Sequence, residues 1–109
     1  YITAYGASKH AVVGFTRSLA VEVAAAGVTV NAVCPGYVDT PMTDRSVENI
    51  AEKARLEPDE ARRRIVGANP QRRLIEAEEV AFLIVTLCDE RARGVNGGTL
   101  AVDGGALPA

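Results

Sequence analysis

Tyr5 and Lys9 stand four residues apart in Tyr5-Gly-Ala-Ser-Lys9, at the head of an apolar run. On an α-helix residues i and i+4 share a face, so the phenol and the ammonium would point the same way. An ammonium beside a phenol favours the phenolate, which suits the pair to general acid/base chemistry. On spacing alone, a packing tyrosine beside a solvated lysine is the better reading. A second stretch, Val28-Thr-Val-Asn-Ala-Val-Cys-Pro-Gly-Tyr-Val-Asp-Thr-Pro-Met42, ends an apolar run in Pro35-Gly36. Open α/β sheets place their ligand crevice beyond such a strand end, and a glycine there lets backbone approach a flat ring. The plainer reading is a strand-to-loop turn. Asp103 in Asp103-Gly-Gly105 is expected to tie its own turn together through backbone bonds, as turn aspartates do. Asn31 reads as a polar residue satisfied within a sheet and is assigned no chemistry. His10 lies about a quarter-turn from Lys9 and reads as a surface or interface residue. No second ligand supports a metal there, and no metal site is expected.

The elements that must position these groups follow from periodicity. Residues Ala4 to Ala26 read as one helix, with Val12, Phe15, Leu19 and Val23 as its core stripe and Gly27 as its C′ glycine. A second stripe of small residues, Ala7, Ala11, Gly14 and Ser18, suits close helix packing, within a subunit or between two. Val28 to Cys34 reads as a strand covered on both faces, as in a parallel sheet. Tyr37 to Thr43 is expected to be a loop. Val47, Ile50, Ala51 and Ala54 suggest a short amphipathic helix. Pro58 opens another, which includes Ile65 and Val66 and ends at Gly67. The stretch is charged and thin in large apolar residues, and is expected to be a mobile lid. Asn69-Pro70 is a turn. Glu76, Glu78 and Glu79 load the start of a further helix. Val80, Leu83, Ile84 and Leu87 form its expected core stripe. Gly94 to Gly98 make a loop and Thr99 to Val102 a second strand. Alternating helices and strands imply an α/β layered sheet.

Bulk properties restrict the function classes. The 109 residues allow one domain with a modest core. Hydrophobic residues make up 48% and charged residues 24%, ordinary values for a globular chain. A formal net charge of −2 makes no electrostatic case for nucleic acid or a membrane surface. Arg62-Arg-Arg64, flanked by Asp59 and Glu60, reads as a solvated helix face rather than a phosphate contact. Cys34 and Cys88 read as small buried hydrophobes in a reducing compartment. With no transmembrane-length apolar run and no secretory signal pattern, a cytoplasmic location is expected.

Taken together, Tyr5-Gly-Ala-Ser-Lys9, Asn31-Ala-Val-Cys-Pro-Gly36, Val38-Asp-Thr-Pro-Met42 and Asp103-Gly-Gly105 resemble the short-chain dehydrogenase/reductase family. The motifs occur in the family's order and span nearly the whole chain. Members are considerably longer and begin with a Gly-rich strand–turn–helix that binds the dinucleotide. Neither that loop nor the family's upstream serine is present here. The resemblance therefore implies that residues 1–109 form the C-terminal half of a single doubly wound, parallel-sheet Rossmann-type domain, with a helical lid at about 43–68.

The same resemblance implies an oxidoreductase. Hydride would pass between NAD or NADP and a small-molecule secondary alcohol or ketone. Tyr5 and Lys9 are the implied catalytic pair: Tyr5 as acid/base, Lys9 binding the nicotinamide ribose hydroxyls and favouring the phenolate. Tyr5, Lys9, Pro35, Gly36, Val38 and Thr40 are the implied cofactor-binding residues. The lid and Asn69-Pro-Gln-Arg-Arg-Leu-Ile75 look most like members acting on 3-hydroxyacyl or 3-oxoacyl thioesters and on 3-hydroxybutyrate. A homo-oligomer, dimer or tetramer, is also implied. Without a phosphate-binding glycine loop the chain by itself is expected to be inactive. The competing expectation is a truncated, non-catalytic module that acts only in subunit packing. An epimerase or dehydratase on the same fold is a third.

Overall fold

The computed structural model describes residues 3–106. Helix α1 (Thr3–Val23) continues through a 3-10 turn at Ala24–Ala26 and stops at Gly27. Gly27 has φ 75°, and its N–H returns to the Ala24 carbonyl at 3.0 Å. That left-handed conformation is open to glycine at little cost, so the expected C′ glycine ends the helix as read. Strand β1 (Ala32–Pro35), helices α2 (Pro41–Ala54), α3 (Pro58–Ala68) and α4 (Ala77–Leu87), a 3-10 turn at Glu90–Ala92 and strand β2 (Thr99–Val102) follow. No helix among the described residues is long and apolar enough to cross a membrane.

The two strands pair with one constant register. The Ala32 N–H donates to the Gly98 carbonyl at 2.9 Å and the Gly36 N–H to the Val102 carbonyl at 3.0 Å. Both partners advance by four residues, so the strands run parallel, joined by a long helical crossover. The chain divides into two compact units. The first holds the described residues up to Cys34 with Leu83–Leu100; the second holds Pro35–Phe82 with the described residues from Ala101 onward.

In the first unit, two asparagines fasten the approach to β1. Asn96 accepts the Val30 N–H at 2.9 Å and donates to the Ala20 carbonyl at 3.1 Å. Asn31 donates to the Val95 carbonyl at 2.7 Å and accepts the Gly98 N–H at 2.9 Å. The Val30 backbone is thus held by the Asn96 side chain and the Gly97 N–H, and β1 begins at Ala32 instead of Val28. β1 is half-buried rather than covered on both faces. The α1 stripe also differs from expectation. Val12 and Phe15 are exposed, and the buried residues of α1 are Thr16 and Ala20.

The second unit contains a buried hydrophobic cluster. Val47 and Ala51 of α2 and Ala61 and Ile65 of α3 form one buried cluster, with Ile50 and Leu74 packed against it. Each helix offers residues at i and i+4, with alanines where the backbones approach. Burying the Val47 and Ile65 side chains contributes about 1.5–3 kcal/mol each. The stretch, though thin in large apolar residues, therefore has a small core of its own. α2 also begins earlier than read. Pro41 takes the first helical position, where its missing N–H costs nothing, and the loop ends at Thr40. α3 runs on past Gly67 to Ala68. In α4 the expected stripe fails: no residue of that helix is buried. The cysteines depart likewise, Cys34 being half-buried and Cys88 exposed beyond the end of α4.

Candidate functional site

The first-unit candidates lie on the opening turns of α1. Helical spacing puts Lys9 beside Tyr5, as expected, but the contact is with the ring. The Lys9 Nζ stands 5.2 Å from the Tyr5 ring centroid, a cation–π arrangement. Tyr5 is 65% exposed, so its hydroxyl faces no packed wall. Around the pair, the Ser8 hydroxyl donates to the Tyr5 carbonyl at 2.7 Å, and the His10 Nδ1 donates to the Gly6 carbonyl at 2.9 Å. His10 is an exposed residue occupied with its own helix, in keeping with a surface reading.

The second-unit candidates, Pro35, Gly36, Val38 and Thr40, lie on the segment that leaves β1. Gly36 is packed against Asp103: a Cβ added there would lie 3.1 Å from both the Asp103 Cα and Cβ. Close approach within the chain is thus a second reason for a small residue here, beside the approach to a ring that the sequence suggested. Asp103 is buried and its Oδ1 accepts the Gly105 N–H at 2.9 Å, the self-tied turn that was expected.

Val38 forms a parallel bridge with Ile75. The Ile75 N–H donates to the Tyr37 carbonyl at 2.9 Å, and the Asp39 N–H donates to the Ile75 carbonyl at 2.8 Å. Ile75 thus uses the groups on either side of Val38. Backbone alternation turns Val38's own N–H and C=O to the opposite edge. That carbonyl accepts the buried Thr43 hydroxyl at 2.5 Å and the Thr40 hydroxyl at 3.4 Å. Thr40 is the N-cap residue of α2, yet its side chain makes no capping bond. A capping threonine normally gives its oxygen to a helix N–H. Here the hydroxyl is turned to the Val38 edge and held by one long bond.

Arg62 joins this segment, and the sequence reading missed it. From α3 its Nη1 reaches Asp44 at 2.9 Å and its Nη2 reaches Asp39 at 3.2 Å. The hydrogen bond to Asp44, and then that to Asp39, push the guanidinium up from its ordinary value. Arg63 and Arg64 are exposed as expected, and Arg62, with its side chain 42% exposed, is partly solvated while it bridges the two carboxylates. The available signal was the pair of carboxylates, Asp39 and Asp44, on the approach to a predicted helix.

A nicotinamide carboxamide carries an amino group that donates and a carbonyl oxygen that accepts. The Val38 N–H on the outward edge and the Thr40 hydroxyl, held by one long bond to the Val38 carbonyl, are polar groups of the kind such a carboxamide pairs with.

Residues 1–106 match the family described as enoyl-(acyl carrier protein) reductase. The chain is 41% identical over 104 residues to D-beta-hydroxybutyrate dehydrogenase of Cupriavidus necator, covering 94% of this chain and 40% of that protein. Among solved structures, a variant of actinorhodin polyketide ketoreductase with NADPH is 42% identical with a TM-score of 0.89, over 94% of this chain and 39% of that one. A short chain dehydrogenase family protein from Francisella tularensis is 33% identical with a TM-score of 0.88, over 95% of this chain and 43% of that one. The chain thus spans about two-fifths of the length of the relatives it matches, and shares their α/β Rossmann-type fold. With Tyr5 and Lys9 on one helix face, the parallel strands, and a match over residues 1–106, this chain belongs to the short-chain dehydrogenase/reductase family of oxidoreductases.

Proposed function

We propose that the chain supplies the proton-transferring and nicotinamide-facing residues of an NAD- or NADP-dependent oxidoreductase that interconverts a secondary alcohol and a ketone. The observation that carries this reading is the Tyr5/Lys9 pair on one face of α1, in a chain of this family. In the reducing direction the Tyr5 hydroxyl gives its proton to the substrate carbonyl oxygen; in the oxidising direction the Tyr5 phenolate takes the alcohol proton. Lys9 keeps positive charge beside the phenolate, and its flexible stem lets the ammonium leave the ring face for the ribose hydroxyls. The Val38 edge and the Thr40 hydroxyl hold the carboxamide end of the nicotinamide, and Pro35-Gly36 set the turn that presents them. When bound, the nicotinamide supplies or takes up the hydride. The substrate class we assign is 3-hydroxyacyl or 3-oxoacyl, supported by likeness to the hydroxybutyrate dehydrogenase and the polyketide ketoreductase. The same proposal includes a C-terminal position in a longer Rossmann-type domain, with α2 and α3 as its lid. It also includes assembly as a homo-oligomer through the exposed Ala7, Ala11, Gly14 and Ser18 stripe.

Tyr5→Phe in the full-length protein is the test. It removes the transferable proton and little else, so turnover should fall by at least about a hundredfold while fold and dinucleotide affinity persist. Turnover within a few-fold of the parent would take Tyr5 out of the mechanism.

A further inference from the structure

Three charged groups meet beside Val38 and Thr40. Arg62 lies on α3, Asp44 in the first turn of α2, and Asp39 between the two candidate cofactor residues. One guanidinium spans both carboxylates, its Nη1 on Asp44 at 2.9 Å and its Nη2 on Asp39 at 3.2 Å. The planar fork makes this double contact possible; an ammonium is a single point charge and cannot reproduce its geometry. Asp39 is also fixed through its backbone, since its N–H is bonded to the Ile75 carbonyl. Its side chain is therefore a handle on a segment whose main chain is already in place.

The buried cluster of Val47, Ala51, Ala61 and Ile65 makes α2 and α3 a single body. Such a packed pair shifts as a whole, about its ends, because pulling the helices apart would expose that cluster. Beside the backbone bonds from Thr43 and Asp44 to the Thr40 carbonyl, two side-chain ties join it to the segment leaving β1. One is the buried Thr43 hydroxyl on the Val38 carbonyl. The other is Arg62 on Asp39, with side chains 42% and 62% exposed. Salt and water weaken an exposed ion pair far more than a buried hydrogen bond. The Arg62 tie is therefore the adjustable one.

We propose that Arg62 is a positioning residue. It latches the α2–α3 pair onto the segment Val38–Thr40 and so sets how that segment meets its ligand. The proposal rests on the nicotinamide reading of Val38 and Thr40.

The experiment compares the full-length protein with Arg62→Gln, Arg62→Lys, Asp39→Asn and the Arg62→Gln/Asp39→Asn double variant. It uses NADH and NADPH as probes. Arg62→Gln should raise the KM for the dinucleotide by about two- to fivefold, the scale of an exposed ion pair, with kcat within about twofold. Amide hydrogen exchange at residues 39–44 should quicken, while that at Val47, Ala51, Ala61 and Ile65 holds. Arg62→Lys should fall between parent and Arg62→Gln. The double variant should be no worse than the worse single one, because both singles break the same contact. At about 1 M salt the parent and variants should converge. Parental KM and exchange in Arg62→Gln would overturn the proposal. So would additive effects in the double variant, or a difference that survives high salt. If the parent itself shows no dinucleotide-dependent turnover, the nicotinamide reading falls. Exchange at residues 39–44 then still decides the latch: quickening supports it and no change overturns it.

Discussion

Helices α2 and α3 are the more polar stretch of this chain and α4 the more apolar, yet burial runs the other way. Val47, Ala51, Ala61 and Ile65 are all buried, whereas in Ala77–Leu87 no residue is, and Phe82 and Val85 are 75% and 69% exposed. α2 and α3 each supply the other's covering face, and small alanines let them close on a few large side chains. Burial requires a matching surface as well as apolar residues, and hydrophobic content alone is a poor guide to where a core forms. The start of α4 is secured by other means. Glu79 accepts the Glu76 N–H at 2.8 Å, half of a capping box, and pairs with both terminal nitrogens of Arg73 at 2.6 and 2.7 Å.

The largest effect that should separate the two regions is Ile65→Ala. It empties the centre of the α2–α3 cluster and should cost about 2–5 kcal/mol, read from denaturant midpoints. A loss under about 1 kcal/mol would mean that the cluster does not hold the pair together.

A smaller effect tests the α4 start by pH. Hydrogen bonds from Arg73, and then from the Glu76 N–H, hold the Glu79 carboxyl at about 2, below its ordinary 4.5. A depressed folded-state value means that the contribution is complete above 4.5 and is lost as pH falls toward about 2. Glu79→Gln should therefore be the less stable protein near neutrality, and the two melting curves should draw together across that window. Solvent exposure keeps the gap modest. A gap that stays constant from neutrality down to about 2 would remove the ionised carboxylate from the account.

The smallest effect is expected at Val85→Ser, on the exposed face of α4. Stability should change by no more than about 0.5 kcal/mol. A loss comparable with that of Ile65→Ala would show that Val85 is covered in solution and would erase the contrast.

What the sequence alone determined is short-range. The extent of α1 and its stop at Gly27, the turn tied by Asp103 and the common face of Tyr5 and Lys9 all depend on residues a few places apart. Spacing, caps and positive φ encode these directly. Tertiary structure decided the rest. Val30 lies outside the strand with its N–H taken by the Asn96 side chain, and Asn31 spends its own side chain on Val95, both more than sixty residues onward. A Cβ at Gly36 would sit tight against Asp103, and Arg62, though partly solvated, bridges two carboxylates because Asp39 and Asp44 lie within its reach. Lys9 rests over the Tyr5 ring although the spacing offered the hydroxyl as well. Which apolar stripe became a core was settled the same way. Periodicity states which side of a helix prefers burial, but the opposing surface comes from another part of the chain, and its distance is a property of the fold.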